Sequence, residues 1–344
     1  MNYRLLGRSG LRVSELCLGT MGFGTEWGFG AERDEVGRIW DAFAEAGGNF
    51  IDTADKYTNG TSERMVGELI ASDREYWVLA TKYSLATRDG DPNNWGNHRK
   101  NLVHSVEASL KRLNTDVIDL LWLHAWTFDA PISEVMRALD DLVRAGKVLY
   151  IGISDTPAWV IARANTMAEL RGWTPFTALQ VEWSLIERTV ERELVPMAKE
   201  LGLGITPWGP LAGGVLTGKY TKGDGSDTKR AGGNEASGRL TERALSIARA
   251  VDAVADAVGR SPAQVALAWV RAKGAIPIVG SRHAGQLRDT LACVDLTLGA
   301  EHLAELDAAS AIDHGFPTDF MKTAVSWNTF GDTFSRLDRG DVPW

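Results

Sequence analysis

The chain has 344 residues, 44% hydrophobic and 24% charged, which is enough apolar material for a large core and too much for a disordered chain. Its 37 basic and 45 acidic residues are interspersed and leave a net charge of −8, which argues against a nucleic acid or an anionic membrane as partner. Cys17 and Cys293 lie far apart and fit neither a metal nor a redox spacing. With no signal-like N-terminus and no 18-residue apolar run, a reducing cytoplasm is the expected compartment.

In chain order, strand-like and helix-like segments alternate. Residues 3–13 read as a hairpin turning at Gly7-Arg8-Ser9-Gly10. A strand at 15–19 ends in Gly19-Thr20-Met21, and a helix at 32–46 stops before Gly47-Gly48. Strand 49–52 precedes a helix at 62–71 that Ser62 is placed to cap. Strand 77–81 ends at Lys82, and a polar loop leads to a helix at 98–113. Strand 117–123 ends at His124; the helix at 132–145 has Pro131 before it and Gly146 after it. Strand 148–153 reaches Ser154-Asp155, and Pro157 opens the next helix. Strand 177–181 carries Gln180, a helix spans 191–201, and strand 203–207 reaches Trp208-Gly209-Pro210. A long glycine-rich loop precedes a helical stretch from 240 to 272, broken at Gly259 and Pro262. The last strand, 275–279, ends in Gly280-Ser281-Arg282, and helices near 284–291 and 301–309 precede an irregular tail.

Eight strands with helices between them, several wholly apolar, predict parallel pairing buried on both faces. Eight such units favour one closed (β/α)8 barrel spanning residues 1–344 over an open doubly wound sheet. Asp52, Lys82, His124, Ser154, Gln180 and Trp208 all fall at or just after strand C-termini, the face where such barrels carry their sites.

The chemistry follows from these residue types. Lys82 near Asp52 reads as an ion pair. With Tyr57 nearby the lysine is expected to lower the phenol from about 10 toward the range of a working general acid. His124 is a candidate to orient a substrate oxygen, and no partner at ligand spacing suggests a metal. The loops after the last two strands, Trp208 to Tyr220 and Gly280 to Arg282, have the glycines and the cations Lys219 and Arg282 for a phosphate. Gly213 to Lys219 nearly matches a P-loop, but Tyr220 replaces the Ser/Thr that would hold magnesium. No G-x-G-x-x-G follows the first strand, so a dinucleotide must bind otherwise.

These residues carry a resemblance. Phe50-Ile51-Asp52-Thr53-Ala54, Ala80-Thr81-Lys82, Asp119 to His124, Gly152-Ile153-Ser154, Pro210 to Gly214 and Ile276 to Gly280 together resemble the aldo-keto reductases from end to end, in their aryl-alcohol dehydrogenase-like and potassium-channel β-subunit-like branch. The resemblance implies a catalytic tetrad of Asp52, Tyr57, Lys82 and His124 and direct hydride transfer between NADP(H) and a carbonyl or alcohol. It implies that Ser154, Asp155 and Gln180 hold the nicotinamide carboxamide and that Trp208 stacks on its ring. Gly209, Pro210, Leu211, Ala212, Gly213 and Lys219 would line the pyrophosphate, and Gly19, Thr20, Met21 and Gly280 would border the cofactor. Arg282 and Gln286 would take the 2′-phosphate, and Asp289 and Thr290 stand where the adenine is met. Two positions depart from the commoner pattern: Asp155 replaces an asparagine, and Asp289-Thr290 replaces Glu-Asn. The channel β-subunits often carry asparagine where this chain has His124.

Trp27, Trp95, Trp126 and Trp183 follow different strands, and Trp327 lies in the tail, so they are candidates to wall a substrate pocket for flat or ring-shaped molecules. The loop at 221–239 reads as a flap over the cofactor, and the tail from 311 has the Phe and Trp content to pack down.

Overall fold

The structure, a computed structural model, describes residues 1–223 and 231–322, together with Thr333, Arg336 and Asp338. Tyr3–Leu5 (β1) and Arg12–Ser14 (β2) form the antiparallel hairpin. Eight parallel strands follow: Cys17–Gly19 (β3), Phe50–Asp52 (β4), Val78–Tyr83 (β5), Ile118–Leu123 (β6), Val148–Ser154 (β7), Phe176–Glu182 (β8), Gly204–Trp208 (β9) and Ile278–Val279 (β10). Their order in the sheet is β10-β3-β4-β5-β6-β7-β8-β9, which is chain order rotated by one strand. Just before β10, the Ile276 N–H donates to the Ile205 carbonyl of β9 at 2.8 Å, so the sheet comes round on itself. This is the expected (β/α)8 barrel.

The helices between the strands are Arg33–Glu45 (α1), Thr61–Ile70 (α2), Arg99–Leu113 (α3), Ile132–Arg144 (α4), Ala158–Arg171 (α5) and Leu194–Leu201 (α6). Ala231–Ala236 (α7), Glu242–Val258 (α8), Pro262–Ala272 (α9), Ala284–Leu291 (α10) and Ala300–Ala309 (α11) follow. The break inside the 240–272 stretch has the expected chemistry. Gly259 ends α8 at φ +64°, and Ser261 caps α9 by accepting from the Gln264 N–H ahead of Pro262.

Strand alternation builds two cores from the same residues. Odd-numbered positions such as Ile51, Leu79, Leu121, Ile151 and Leu179 face outward and are buried under the helices. Even-numbered positions face inward, and Phe50, Val78, Ala80, Leu120, Trp122 and Ala178 fill the barrel. Trp122 lies over Gly152, its register partner on β7, where a Cβ would come within 2.3 Å of the indole; the neighbouring strand has to give up its side chain to admit the ring. The hairpin closes the N-terminal end: Leu6 and Val13 join the interior cluster, and the Arg8 N–H reaches the Gly202 carbonyl at 2.9 Å.

Ser62 departs from expectation. The N-cap of α2 is Gly60, and the Ser62 hydroxyl points inward to Thr20 and Thr53, tying the loops after β3 and β4 together. A buried serine finds two polar loops nearer than its own helix terminus.

Candidate active site

The even-numbered alternation that fills the barrel carries on into polar residues at the top. Two positions beyond Phe50, Ala80, Trp122, Gly152 and Ala178 come Asp52, Lys82, His124, Ser154 and Gln180, all projected toward the barrel axis by the same pleat. Asp52, Lys82, Ser154 and Gln180 are each at most 2% exposed. Trp208 ends β9 in the same phase and is half-buried.

Lys82 is the hub. Its ammonium donates to Asp52 Oδ2, to the Thr53 carbonyl at 2.9 Å and to the Tyr57 hydroxyl at 3.1 Å, which uses all three of its protons. The other Asp52 oxygen accepts from Gln180 Nε2 at 3.0 Å. Burial opposes the Lys82 charge, but Asp52 and Tyr57 outweigh it and the pKa is raised, so the lysine stays protonated. Tyr57 opens a single turn, Tyr57–Gly60, in which Thr58 and Asn59 adopt left-handed backbone at φ +45° and +55°. The His124 ring meets the Tyr57 ring edge-on at 5.9 Å. Burial, with Lys82 adding to it, pushes the imidazole well below its usual pKa, and its buried Nδ1 has no partner among the described residues. His124 is therefore a neutral imidazole.

The expected lowering of the Tyr57 pKa is not found. Burial raises it, and the relief from Lys82 is opposed by Asp52. The carboxylate that keeps Lys82 charged also cancels its field, so the phenol gains little as an anion. Tyr57 keeps its proton throughout the neutral range.

The loops after β9 and β10 have an open backbone. Gly209, Gly213 and Gly214 all sit at positive φ, and a Cβ on Gly213 or Gly214 would meet Asn234 Oδ1 at 2.5 Å or Lys219 Nζ at 2.7 Å. Pro210, Leu211 and Ala212 run between them. Ser154 Oγ is buried without a partner among the described residues, beside Gln180 on the paired strand, whose amide carries an acceptor oxygen besides the Nε2 that it gives to Asp52. A cleft of about 430 Å³ opens by the Trp208 indole, lined by Asp155, Pro157, Glu182, Val190 and Leu194 among others. Asp155, left-handed at φ +39°, accepts from Trp208 Nε1 at 3.1 Å and so braces the ring; burial pushes its own carboxyl upward. An orphan hydroxyl, an amide acceptor, a braced flat ring and a glycine loop fit a nicotinamide nucleotide.

Gly19 pairs with Asp52, Gly280 lies against the Gly19 carbonyl, and Met21 is exposed beside them. Thr20 is fully engaged, its hydroxyl donating to the Asp52 carbonyl at 3.0 Å, so it holds the loop. Arg282 is partly exposed, and Gln286 accepts from Ser281 Oγ at 3.3 Å. Asp289 is tied to the start of α9, accepting from Ser261 Oγ at 3.0 Å and Gln264 Nε2 at 2.9 Å, and the Thr290 hydroxyl bonds back to Gln286 O. Their polar atoms answer to α9 and to their own helix.

A family model described as the aldo/keto reductase family matches residues 15–311. The chain belongs to the aldo/keto reductase family. It is 40% identical to a norsolorinic acid reductase of Aspergillus flavus over 93% of this chain and 84% of that protein. It is 38% identical to a putative aryl-alcohol dehydrogenase, AAD14, of Saccharomyces cerevisiae, covering 92% and 89%. An aryl-alcohol dehydrogenase of Pestalotiopsis microspora, GME11368, is also 38% identical, covering 93% and 85%. Membership makes the protein an oxidoreductase of the carbonyl–alcohol class.

Of the tryptophans, Trp27 stands against Tyr57, ring to ring at 6.3 Å, with Nε1 on Asn59 Oδ1 at 3.4 Å. Trp126, two residues past His124, is partly buried beside Phe128, and its N–H meets the Asp155 carbonyl at 3.5 Å. Trp95 is exposed and lines a cleft within its own loop, with Ala86, Arg88 and Asp91. Trp183 is core: it is 2% exposed, donates to Glu191 at 2.9 Å and packs edge-on to Trp269. Trp327 and most of the tail beyond 322 lie outside the described residues, as do 224–230 of the expected flap.

The described part of that flap is built in. Asn234 of α7 is 3% exposed and donates to the Gly213 carbonyl at 3.3 Å and to Tyr220 OH at 3.0 Å. Arg239 pairs with Glu182 beside Gly209. Neither residue was singled out from sequence. A lone asparagine in a glycine-rich stretch carries no periodicity, and only the Gly213 approach gives it meaning.

Proposed function

We propose that the protein is an NADPH-dependent reductase that converts an aldehyde or ketone, of the aryl class, into the alcohol. The observation that carries this is the arrangement around Lys82. Because the ammonium donates to the phenol oxygen, the Tyr57 proton is left to point away from it, toward the space His124 borders. Tyr57 is thus a loaded general acid for an alkoxide developing there. Neutral His124 offers an N–H to the same oxygen and fixes which face of the carbonyl is presented. Asp52 orients Lys82, and Gln180 holds Asp52. When bound, NADPH supplies the hydride. Ser154 and Gln180 would hold its carboxamide, Trp208 its ring, Gly209 to Gly213 with Lys219 its pyrophosphate, and Arg282 with Gln286 its 2′-phosphate, a guanidinium suiting a phosphate. The aryl preference is supported by Trp27 standing against Tyr57, and by the relatives named for aryl alcohols and for norsolorinic acid.

The same groups serve the reverse reaction, so oxidation of an aryl alcohol is the second reading, favoured by the relatives named as dehydrogenases. Fluorescence titration with NADPH and with NADH, followed by NADPH consumption on aryl aldehydes, tests the proposal. Tighter NADPH binding and turnover are expected. Equal binding of NADH would remove the phosphate assignment to Arg282, and binding of neither would overturn the reading as a whole.

A further inference from the structure

Behind the loop that carries Tyr57, on the outer side of the same two strands, lies a second buried cluster that the mechanism does not use. Asp55 is 2% exposed, and its carboxyl faces the Ser105 hydroxyl and the Lys56 N–H without a well-formed hydrogen bond to either oxygen among the described residues. Three elements face it. Glu63 of α2 is fully buried and accepts from Thr81 Oγ1 at 2.6 Å and from Arg112 Nε of α3 at 2.5 Å. Arg112 and Ser105 come from α3, and the Lys56 N–H from its own loop. Its backbone N–H meets the Lys82 carbonyl at 3.2 Å.

These contacts form a ring. Thr81 precedes Lys82 and anchors Glu63; Glu63 faces Asp55; and Asp55 stands two residues before Tyr57. The cluster therefore spans from the strand end that holds the ammonium to the turn that holds the phenol. The turn needs support, because Thr58 and Asn59 are held in left-handed backbone that costs of order 1 kcal/mol or more each. A charged Asp55 would face the Glu63 carboxylate with a single guanidinium between two acids.

Resting on the reductase reading, we propose that Asp55 in its neutral form is a positioning residue for Tyr57, locking the 53–60 loop against Glu63, and that its ionisation releases that lock. Burial and Glu63 hold its pKa up at about 8 against the pull of Arg112, so the lock is closed at neutral pH and opens in the mildly alkaline range. Tyr57 itself, raised above its ordinary value, does not lose its proton there.

Two readouts test this. The first is kcat from pH 6 to 9.5 with NADPH and benzaldehyde, each profile normalised to its own value at pH 6.5. The wild-type profile should fall to roughly a tenth or less by pH 9.5, with the cofactor Kd unmoved. Asp55→Asn should lose that alkaline fall, whereas Asp55→Ala should lower kcat more than KM at every pH. An unchanged alkaline limb in Asp55→Asn, or a flat wild-type profile, overturns the proposal.

The second readout does not need turnover. Trp27 contacts both Tyr57 and Asn59, so its emission, taken as the difference between otherwise identical chains with Trp27 and with Trp27→Phe, reports the loop directly. It should change near pH 8 with Asp55 present and not with Asp55→Asn. If no carbonyl is reduced, the reductase reading falls and this arm still decides whether Asp55 holds the loop; a Trp27 signal independent of Asp55 overturns it.

Discussion

Tyr57 is held by a neighbour that is charged but electrically spent. Lys82 is balanced by Asp52, so its value to Tyr57 is geometric: it fills a phenol lone pair and leaves the O–H to point away from the ammonium. Tyr57→Phe should lower kcat by roughly 100-fold or more, the span of a general acid, while the NADPH Kd from tryptophan quenching stays near wild type. Retained turnover would sink the assignment. Because His124 is neutral far below the usual imidazole range, kcat should show no acid limb at pH 6.5 and stay level from pH 7 down to about 5.5. A fall with apparent pKa near 6.5 would mean that the histidine works as an exposed group. Arg282→Ala should weaken NADPH by roughly 10- to 100-fold, the worth of about 1.5–3 kcal/mol for a charge-assisted bond, and leave NADH unchanged.

At the level of elements, the glycine loop after β9 depends on α7. Asn234→Ala removes two buried hydrogen bonds, so the loop should loosen, with cofactor binding weakened by roughly 3- to 30-fold and a thermal midpoint lowered by a few degrees. An unchanged Kd would make α7 a bystander. This dependence also marks what the sequence displayed and what it hid. Strands and helices were legible because apolar runs and Gly/Pro punctuation repeat eight times. The gathering of Asp52, Lys82 and His124 at one end of the barrel was legible because strand alternation projects them in a single phase. Ser62 was misread because it was assigned by its local pattern, while its hydroxyl is claimed by a group distant in sequence, Thr20. Asp55 sat in plain view between Asp52 and Tyr57, but only the fold buries it within the fields of Glu63 and Arg112.

For the whole molecule, one of the contacts between the hairpin and the barrel is a close backbone approach at Gly7. A Cβ on Gly7 would lie within 2.6 Å of Thr177 O, Gly202 O and Gly204 N, at a positive φ besides. Gly7→Ala should lift the hairpin from the barrel floor at a cost of about 1–3 kcal/mol or more, read as a drop in Tm of several degrees. Activity per folded molecule should persist, since the tetrad lies at the other end. Loss of activity without loss of Tm would instead couple the floor to the site.

The saturation of Lys82 has a chemical consequence for any barrel that gathers aldehydes. A free amine beside a carbonyl condenses with it to an imine, and the site would poison itself. An ammonium with three fixed acceptors and a raised pKa has no lone pair to attack with. Incubation with an aryl aldehyde and cyanoborohydride should alkylate surface lysines and leave Lys82 unlabelled in a peptide map, while Asp52→Asn, which takes away the counter-charge, should expose it to that trapping.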